Sequence, residues 1–550
     1  MKKINILIFS CFLGALALPS CSSDFLEVSP TDKLQTASFY KTPLQVEQAI
    51  TGIYADLRYL SCDEYLYMSE CRSDNTWVNP QTDGLREYSE IGTFRAGNDI
   101  TTFNGVWTYW YKVILDANTV IEKIPDVTFT DETIKNQFLG EALFMRGWAY
   151  FELTRLFGNI PVVDKASSAE EVASIAQSPA VDVYNNRIVP DMVEAISLLP
   201  EPSKMKTATG GSAVSYGRAD KIAAEAMLGR IYMTMAGFPV KDATAQDKAE
   251  TLLKAVIDYS AANNNKYWAA DSTEWKKQWI SENNNRYSIF AIQYRAGGTG
   301  NTAVFNFAPS FPTSYTSIRI YGNQIYIEKT LMYEFDKVYS NGNTDARGYN
   351  TTICTGYAAE TNYPTYSNIK EPCSVPNGTD SIVYANTMFY KYMNSKVKRA
   401  ALGYTADIEG TMKDYNDWPV NYPVIRLEDI QLMYAEILLN KYNDVSGSIA
   451  IVNKIRKRAG CDLYSTALSA DEAMKALKKE RRIELAGEGV RWFDLVRWNE
   501  WQGAIKSKFT RYNSQYTDIS NVKEGRYLYP IPLNQLNVVP GLYNQNSDYD

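Results

Sequence analysis

The feature that most constrains the fold is a series of segments with apolar residues at helical spacing, each followed by a stop signal. From 104 to 124, apolar residues recur every three or four positions until Pro125. A second such segment runs from 131 to 157 and ends at Gly158. The short connection between them predicts an antiparallel hairpin in which each helix covers the apolar face of the other.

Further stretches carry the same pattern, at 181–199, 218–236, 246–261, 427–441 and 446–458. The stretch 218–236 is rich in small residues, which allow close helix approach. A last long helix opens with a capping box formed by Ser469 and Glu472. Repeated helix pairs of this size predict a mainly α fold, a tetratricopeptide-like scaffold of helical hairpins.

A long middle region, from about 267 to 418, lacks this pattern. Asn, Gly, Thr, Pro and Tyr cluster there, as in the segment 297–302, and predict loops with short strands or turns. Loops held on a rigid scaffold commonly present binding groups. We therefore expect this loop-rich insert to recognise the ligand and the helices to support it.

The N-terminus has the pattern of a secretory signal. Lys2 and Lys3 precede an apolar run from 4 to 18 that is too short to span a bilayer. The run ends in Leu18-Pro19-Ser20-Cys21, which resembles a bacterial lipobox and predicts diacylglycerol on Cys21. An ordinary signal peptide with a chance cysteine is the alternative. Since no later stretch reaches ~18 uninterrupted apolar residues, the lipid is expected to be the only anchor.

These features divide the chain into four parts. We expect a signal peptide at 1–20 and a lipidated tether at 21–40. An N-terminal helical region follows at 41–265, and the region 266–550 holds the loop-rich part and the C-terminal helices. Two lobes or an extended repeat array suit a chain of 550 residues, which exceeds the size of one hydrophobic core.

Composition excludes several classes of function. The 550 residues include no histidine, which removes Ser-His-Asp and Cys-His catalysis and imidazole-ligated metal sites. No phosphate-binding G-x-x-x-x-G-K-[ST] motif is present, and a net charge of -7 argues against nucleic acid. We expect neither a metal nor a cofactor. A glycosidase that uses two carboxylates stays open as an alternative, because the chain has 63 acidic residues.

Five cysteines, an odd number, remain when those of the signal segment and the lipid site are set aside. Short separations make disulfides an option for Cys62 with Cys71 and for Cys354 with Cys373, with buried free thiols as the alternative; Cys461 has no nearby partner in sequence.

An acidic stripe lies near the C-terminus, where Glu480, Glu484 and Glu488 fall on one helix face. Like charges at this spacing repel unless cations intervene. The nearby arginines suit that task, because guanidinium groups pair with carboxylates through two hydrogen bonds; they are Arg481, Arg491 and Arg497, with Asp494 between them. We interpret the block as a structural ion-pair network. Catalytic carboxylates are the alternative.

Motifs along the chain, taken in order, resemble those of the SusD/RagB family of surface glycan-binding lipoproteins. They are Cys21 followed by DFLEVSP at 24–30, EALFMRGWAYF at 141–151 with LFGNIP at 156–161, GRADK at 217–221, RLEDI at 426–430, YAE at 434–436, NKIRKRAG at 453–460, ERRIEL at 480–485, EGVRWFDLVRW at 488–498 and YPIP at 529–532. The C-terminal block is the most specific of these. The resemblance extends from residue 21 to near the end of the chain.

This resemblance implies a lipid-anchored protein on the outer-membrane surface of a Gram-negative bacterium. It implies binding of an oligosaccharide or polysaccharide and delivery to a SusC-like TonB-dependent transporter, without catalysis. A helical-repeat scaffold that only organises other proteins is a further alternative.

Aromatic residues make up 13% of the chain, and flat rings suit the apolar faces of sugars. We assign those in the helical stripes to structure, namely Trp107, Trp110, Trp148 and Trp498. The loop 70–79 places Trp77 among polar side chains. By resemblance to the starch-binding family member, ligand contacts come from this loop and from the middle region; the candidates are Arg72, Asp74, Asn75, Trp77, Phe305, Phe307, Tyr315, Arg319 and Tyr321.

Overall fold

The architecture is mainly helical, in agreement with the predicted fold class. The computed structural model describes residues 39–78, 86–213, 217–280, 286–302, 325–348, 352–354, 387–389, 391–394, 396–406, 408–414, 417–512 and 517–549. Its α-helices are α1 Pro43–Asp56, α2 Arg86–Gly92, α3 Thr101–Lys123, α4 Glu132–Phe157, α5 Ala169–Val172, α6 Ala180–Val183, α7 Val189–Leu198, α8 Lys221–Ala236, α9 Ala245–Ala262, α10 Ser272–Lys277, α11 Lys329–Asp336, α12 Lys396–Ala400, α13 Leu427–Tyr442, α14 Val445–Ala459, α15 Ala470–Glu484, α16 Arg491–Arg497, α17 Trp501–Arg511 and α18 Leu533–Val538.

Short strands form four two-stranded antiparallel pairs among the described residues. The strands are β1 Thr76–Val78, β2 Ile160–Pro161, β3 Gln177–Ser178, β4 Ser288–Ile292, β5 Ile325–Ile327, β6 Thr352–Cys354, β7 Thr387–Phe389 and β8 Tyr422–Arg426. The pairs are β1 with β5, β2 with β3, β4 with β8, and β6 with β7. Three of these pairs involve the region predicted to be loop-rich, and two of them, β1 with β5 and β4 with β8, connect it to the rest of the protein.

The helices begin and end where local side chains satisfy the free backbone groups. Thr42 and Gln45 form a capping box at the start of α1, and Ser469 and Glu472 form the predicted one at the start of α15. Helix α4 ends at Gly158, whose φ of 75° favours glycine. These caps explain why most helix ends were predictable from sequence.

The helices pack as hairpins around one large core. Helices α3 and α4, α8 and α9, and α13 and α14 are antiparallel neighbours joined by short connections. Helix α4 is buried on nearly all sides, and Trp110 of α3 packs edge-to-face on its Trp148. In the second pair, an added Cβ at Gly229 would lie 2.7 Å from Leu253, so the small residue sets the close approach of α8 and α9. The tetratricopeptide-like scaffold is thus confirmed.

Two segments differ from the predicted helices. The stretch 181–199 is interrupted by a π-helical turn, Tyr184–Ile188, before α7. Pro190 is the second residue after this turn, and because proline has no N–H the regular hydrogen-bond pattern cannot continue through it. A longer π-helix, Ser61–Cys71, was not predicted.

Two further predictions concern anchoring and cysteine. None of the described helices is long and apolar enough to cross a bilayer. Cys461 is a buried thiol whose pKa is raised to about 12, mainly by burial. Cys21 and Cys373 lie outside the described residues.

Candidate functional site

The predicted N-terminal ligand loop follows the π-helix and is folded against the C-terminal helices. After Arg72 the chain turns into strand β1, which pairs with β5 so that Trp77 lies opposite Tyr326. Strand β5 begins directly after the segment 303–324, which holds the other predicted ligand residues. The pairing therefore joins the N-terminal loop to the loop-rich insert directly after the segment 303–324.

Arg72 is buried inside the protein, with 1% of its surface exposed. Its guanidinium lies 3.6 Å from the ring centre of Phe94 and donates hydrogen bonds to the carbonyl oxygens of Ile91 and Arg526. The hydroxyl of Tyr549 accepts a third hydrogen bond at 3.1 Å. Arg72 thus ties the loop to the C-terminal residues, and its contact with a glycan stays a prediction.

Asp74 and Asn75 also have partners within the protein. The carboxylate of Asp74 accepts hydrogen bonds from Arg491 at 2.7 and 2.9 Å, and the neighbouring guanidinium groups of Arg482 and Arg491 hold its pKa well below the usual range despite burial. Asn75 is fully buried; its amide donates to Glu70 at 3.0 Å and accepts from Arg482 at 3.0 Å. The polar character of the loop therefore serves its attachment to α15 and α16, and ligand contact by Asp74 stays a prediction.

Glu70 is the buried centre of this attachment. It accepts hydrogen bonds from Asn75 and from the backbone N–H of Gly489 at 2.9 Å. Burial raises its pKa to about 7, against an ordinary value of 4.5. Its charge state therefore changes near neutral pH.

Trp77 lies at the edge of this buried cluster with 8% of its surface exposed. Its indole stacks on the ring of Tyr512, with centroids 4.1 Å apart and planes 6° from parallel. Tyr512 is only half buried, and the ammonium group of Lys329 lies 5.4 Å from its ring centre. Together Trp77 and Tyr512 form an aromatic stack next to β5, and glycan contact by Trp77 stays a prediction.

Tyr512 was missed by sequence reasoning. It follows the last residue of α17, and the distance along the chain from Trp77 gives no local signal that the two rings meet. Only the packing of α17 beneath the loop, where Lys508 donates to the carbonyl oxygens of Ser73 and Thr76, brings them together.

A carboxylate clamp formed by Asp417 holds the chain just before the segment 303–324. Asp417 accepts hydrogen bonds from the backbone N–H groups of Gly297, Gly298 and Gly300 at 2.7, 2.8 and 2.7 Å, and from that of Lys413 at 2.8 Å. These bonds lower the pKa of Asp417 below its usual value. The glycine cluster found in sequence is thus a turn wrapped around a side chain of the protein itself.

The remaining predicted ligand residues are Phe305, Phe307, Tyr315, Arg319 and Tyr321, and they lie outside the described residues. The chain that carries them runs from the Asp417 clamp to strand β5. Their contact with ligand stays a prediction.

The predicted acidic stripe is buried and paired, as the structural interpretation predicted. Helix α15 ends at Glu484, however, so Glu488 lies in the turn that follows and the prediction that all three glutamates share one helix face is wrong for it. Arg426 donates to both oxygens of Glu488 at 2.8 Å and to Glu484 at 3.1 Å. Arg347 donates to Glu480 at 2.7 Å and to Glu484 at 2.8 Å. All three carboxylates are at most 5% exposed, so this cluster offers no accessible acid and base pair.

The arginines predicted to neutralise this stripe pair elsewhere. Arg481 binds Asp429 and Asp494, Arg491 binds Asp74, and Arg497 binds Glu436 and Asp494. The cations of the stripe instead come from distant segments.

The aromatic residues assigned to structure are placed as predicted: Trp107, Trp110 and Trp148 are buried, and the indole N–H of Trp498 donates to Glu436 at 3.0 Å.

Two family models match the chain. One, described as "SusD family", matches residues 259–549, and the other, described as "Starch-binding associating with outer membrane", matches residues 24–233. The matches follow one another along the chain and leave only a short segment between them.

Individual relatives cover nearly the whole chain. SusD-like protein P2 of Formosa agariphila is 26% identical over 521 residues, which span 90% of this chain and 91% of the relative. A SusD homolog from Bacteroides thetaiotaomicron has a similar structure, with a TM-score of 0.71 at 19% identity over 93% of this chain and 98% of the homolog. Surface glycan-binding protein A from Bacteroides fluxus gives a TM-score of 0.69 at 20% identity, over 92% of this chain and 100% of that protein.

Proposed function

Because the chain belongs to the SusD family, we propose that it binds an oligosaccharide or polysaccharide at the cell surface and passes it to a SusC-like TonB-dependent transporter. The observation that carries this proposal is the pair of family matches, which together extend from residue 24 to residue 549 and include one described as starch-binding at the outer membrane.

The geometry of the insert supports ligand capture. The segment 303–324, which carries five of the candidate residues, is preceded by the Asp417 clamp and followed by the pairing of β5 with β1. Attachments that pre-organise a binding segment reduce the entropy lost on binding, which favours affinity. The stack of Trp77 and Tyr512 next to β5 has the flat, partly polar character that suits a sugar ring.

The proposed anchor is diacylglycerol on Cys21. Cys21→Ala should abolish lipid labelling and release the protein from the outer-membrane fraction, whereas Cys11→Ala, within the signal segment, should leave both unchanged. Persistent labelling of the Cys21→Ala variant would contradict the lipobox assignment.

The proposed transporter role is tested by affinity purification of the full chain from native membranes in mild detergent. We expect an outer-membrane β-barrel of the TonB-dependent type to co-purify in stoichiometric amount. Recovery of the lipoprotein without any such barrel would contradict delivery to a transporter, while leaving glycan binding to be measured separately.

A further inference from the structure

A small buried cavity lies between the N-terminal helices and the C-terminal block. Its volume is about 30 Å³, enough for a guest the size of one or two water molecules and too small for a phosphate or sulfate group. The π-helix contributes Tyr65 and α4 contributes Arg155, while Arg230 of α8 and Tyr422 of β8 complete the wall. The cavity therefore joins segments from both halves of the chain.

The wall of this cavity carries hydrogen-bond donors that are not used within the described protein. The hydroxyl of Tyr65 is buried and has no hydrogen-bond partner there, although its residue is only 4% exposed. The ring of Tyr422 stacks on that of Tyr65 with centroids 4.7 Å apart and brings a second hydroxyl to the same wall.

The two arginines add further donors. Arg155 uses its Nε for Glu152, and the closest approach of its Nη2 to Glu64 is 3.8 Å, beyond hydrogen-bond distance. Arg230 uses Nε and Nη2 for Asp429 and the carbonyl of Val424, which leaves its Nη1 without a hydrogen bond among the described residues.

The two carboxylates that line the cavity are already paired with cations. Both oxygens of Glu488 accept from Arg426, and one of them also accepts from Lys391 at 2.6 Å. The oxygens of Asp494 accept from Arg481 at 2.6 Å and from Arg497 at 2.9 Å. Four arginines and only two carboxylates line the cavity, so its wall favours a small anion that accepts hydrogen bonds.

We propose that this cavity binds a monatomic halide, chloride under physiological conditions, held by the Tyr65 hydroxyl and the guanidinium groups of Arg155 and Arg230. The ion links the π-helix and α4 to α8 and β8, so it stabilises the junction between the two halves of the fold. This role is separate from glycan binding.

A route for the ion exists beside the cavity. A larger cavity of about 190 Å³ shares Arg155, Thr234, Phe493 and Arg497 as lining residues and includes the exposed Asn159. Arg155 thus stands between the small cavity and solvent. Its guanidinium is stacked 3.5 Å from the ring centre of Phe493, which lines both cavities.

The first test is anomalous diffraction from crystals of the full chain soaked in sodium bromide. We expect a bromine peak in the cavity within hydrogen-bond distance of the Tyr65 hydroxyl. A cavity that holds only water under these conditions would overturn the proposal.

The second test measures thermal unfolding of the detergent-solubilised full chain in sodium chloride and in sodium gluconate at equal ionic strength. The midpoint should rise with chloride and not with gluconate, because a ligand that binds only the folded state stabilises it. Tyr65→Phe should weaken the apparent chloride affinity about tenfold or more, since it removes a hydrogen bond to a charged group.

Tyr111→Phe is the matched control. It removes a buried hydroxyl that donates to the carbonyl of Pro161 at 2.7 Å, outside the cavity, so it should lower the midpoint but keep the chloride response. An equal chloride response in wild type and Tyr65→Phe would overturn the assignment. If Tyr65→Phe does not fold, the bromine peak in the wild-type crystal decides the matter.

Discussion

Replacement of Arg426 by methionine should be strongly destabilising, because this guanidinium is the hub of the buried charge network. It is 1% exposed and donates to Glu428, Glu484 and Glu488 at 2.8 to 3.1 Å. Methionine fills much of the same space but leaves three buried carboxylates with fewer cations. Breaking a buried ion pair in this way costs about 3–5 kcal/mol, so the urea midpoint followed by tryptophan fluorescence should fall clearly.

The size of the effect is judged against a surface arginine in a similar arrangement. Arg86 also binds two carboxylates, Glu90 at 2.7 Å and Asp99 at 3.1 Å, but 56% of its side chain is exposed. Arg86→Met should therefore cost no more than about 1 kcal/mol. Equal losses for the two variants would refute the idea that the buried network holds the C-terminal block together.

The loss in Arg426→Met should also depend on pH. Arg426, Arg458 and Arg347 hold the pKa of Glu484 well below its ordinary value of 4.5, so this carboxylate stabilises the fold above pH 4.5 and loses that contribution as pH falls through its folded pKa. The difference between wild type and variant should accordingly shrink in acid.

Three further perturbations address the loop and its supports. Burial raises the pKa of Glu70 to about 7, so its ionisation should cost the wild type about 3 kcal/mol between pH 4.5 and 7; Glu70→Gln removes this cost, and a wild-type-to-variant difference that is the same at pH 5 and pH 8 would contradict it. Asp417→Asn should speed amide hydrogen exchange at Gly297 and Gly298 and weaken glycan affinity about tenfold, whereas Asp518→Asn, a cap on a distant turn, should do neither. Trp77→Ala should lower stability by about 3–5 kcal/mol besides weakening binding, because the indole is buried; an unchanged melting temperature would show that the ring is dispensable to the fold.

The helical scaffold could be predicted because its signals are local. Apolar spacing and caps such as Ser469 with Glu472 depend on residues within a few positions of each other, and this cap marks the start of α15 correctly. The π-helical turn within 181–199 was not predicted, because a single proline inside a helical pattern permits either a kink or a π-turn and packing decides between them.

The environment of the candidate site could not be predicted in this way. Asp74 and Asn75 resemble an exposed polar loop in sequence, but their partners Arg491 and Arg482 lie more than 400 positions away along the chain. The same holds for Tyr512, which meets Trp77 only after the C-terminal helices dock. Pairing between residues so far apart in sequence cannot be inferred from the local sequence pattern around either of them.

The buried charge network was predicted correctly in one respect and wrongly in another. Like charges at helical spacing correctly indicated that cations must intervene, because unpaired carboxylates are unstable in a core. The choice of cations was wrong, since Arg347 and Arg426 lie on other segments while Arg481 faces Asp429 and Asp494. Periodicity specifies which charges share a face and not which segment packs against that face.

The central claim, that the protein captures glycan without cleaving it, is tested most directly by calorimetric titration of the purified chain with a panel of oligosaccharides, with reducing ends assayed in the same samples. We expect saturable heat with at least one glycan class, an affinity that Asp417→Asn reduces, and no increase in reducing ends. Absence of binding across the panel, or release of reducing ends by wild-type protein, would contradict it.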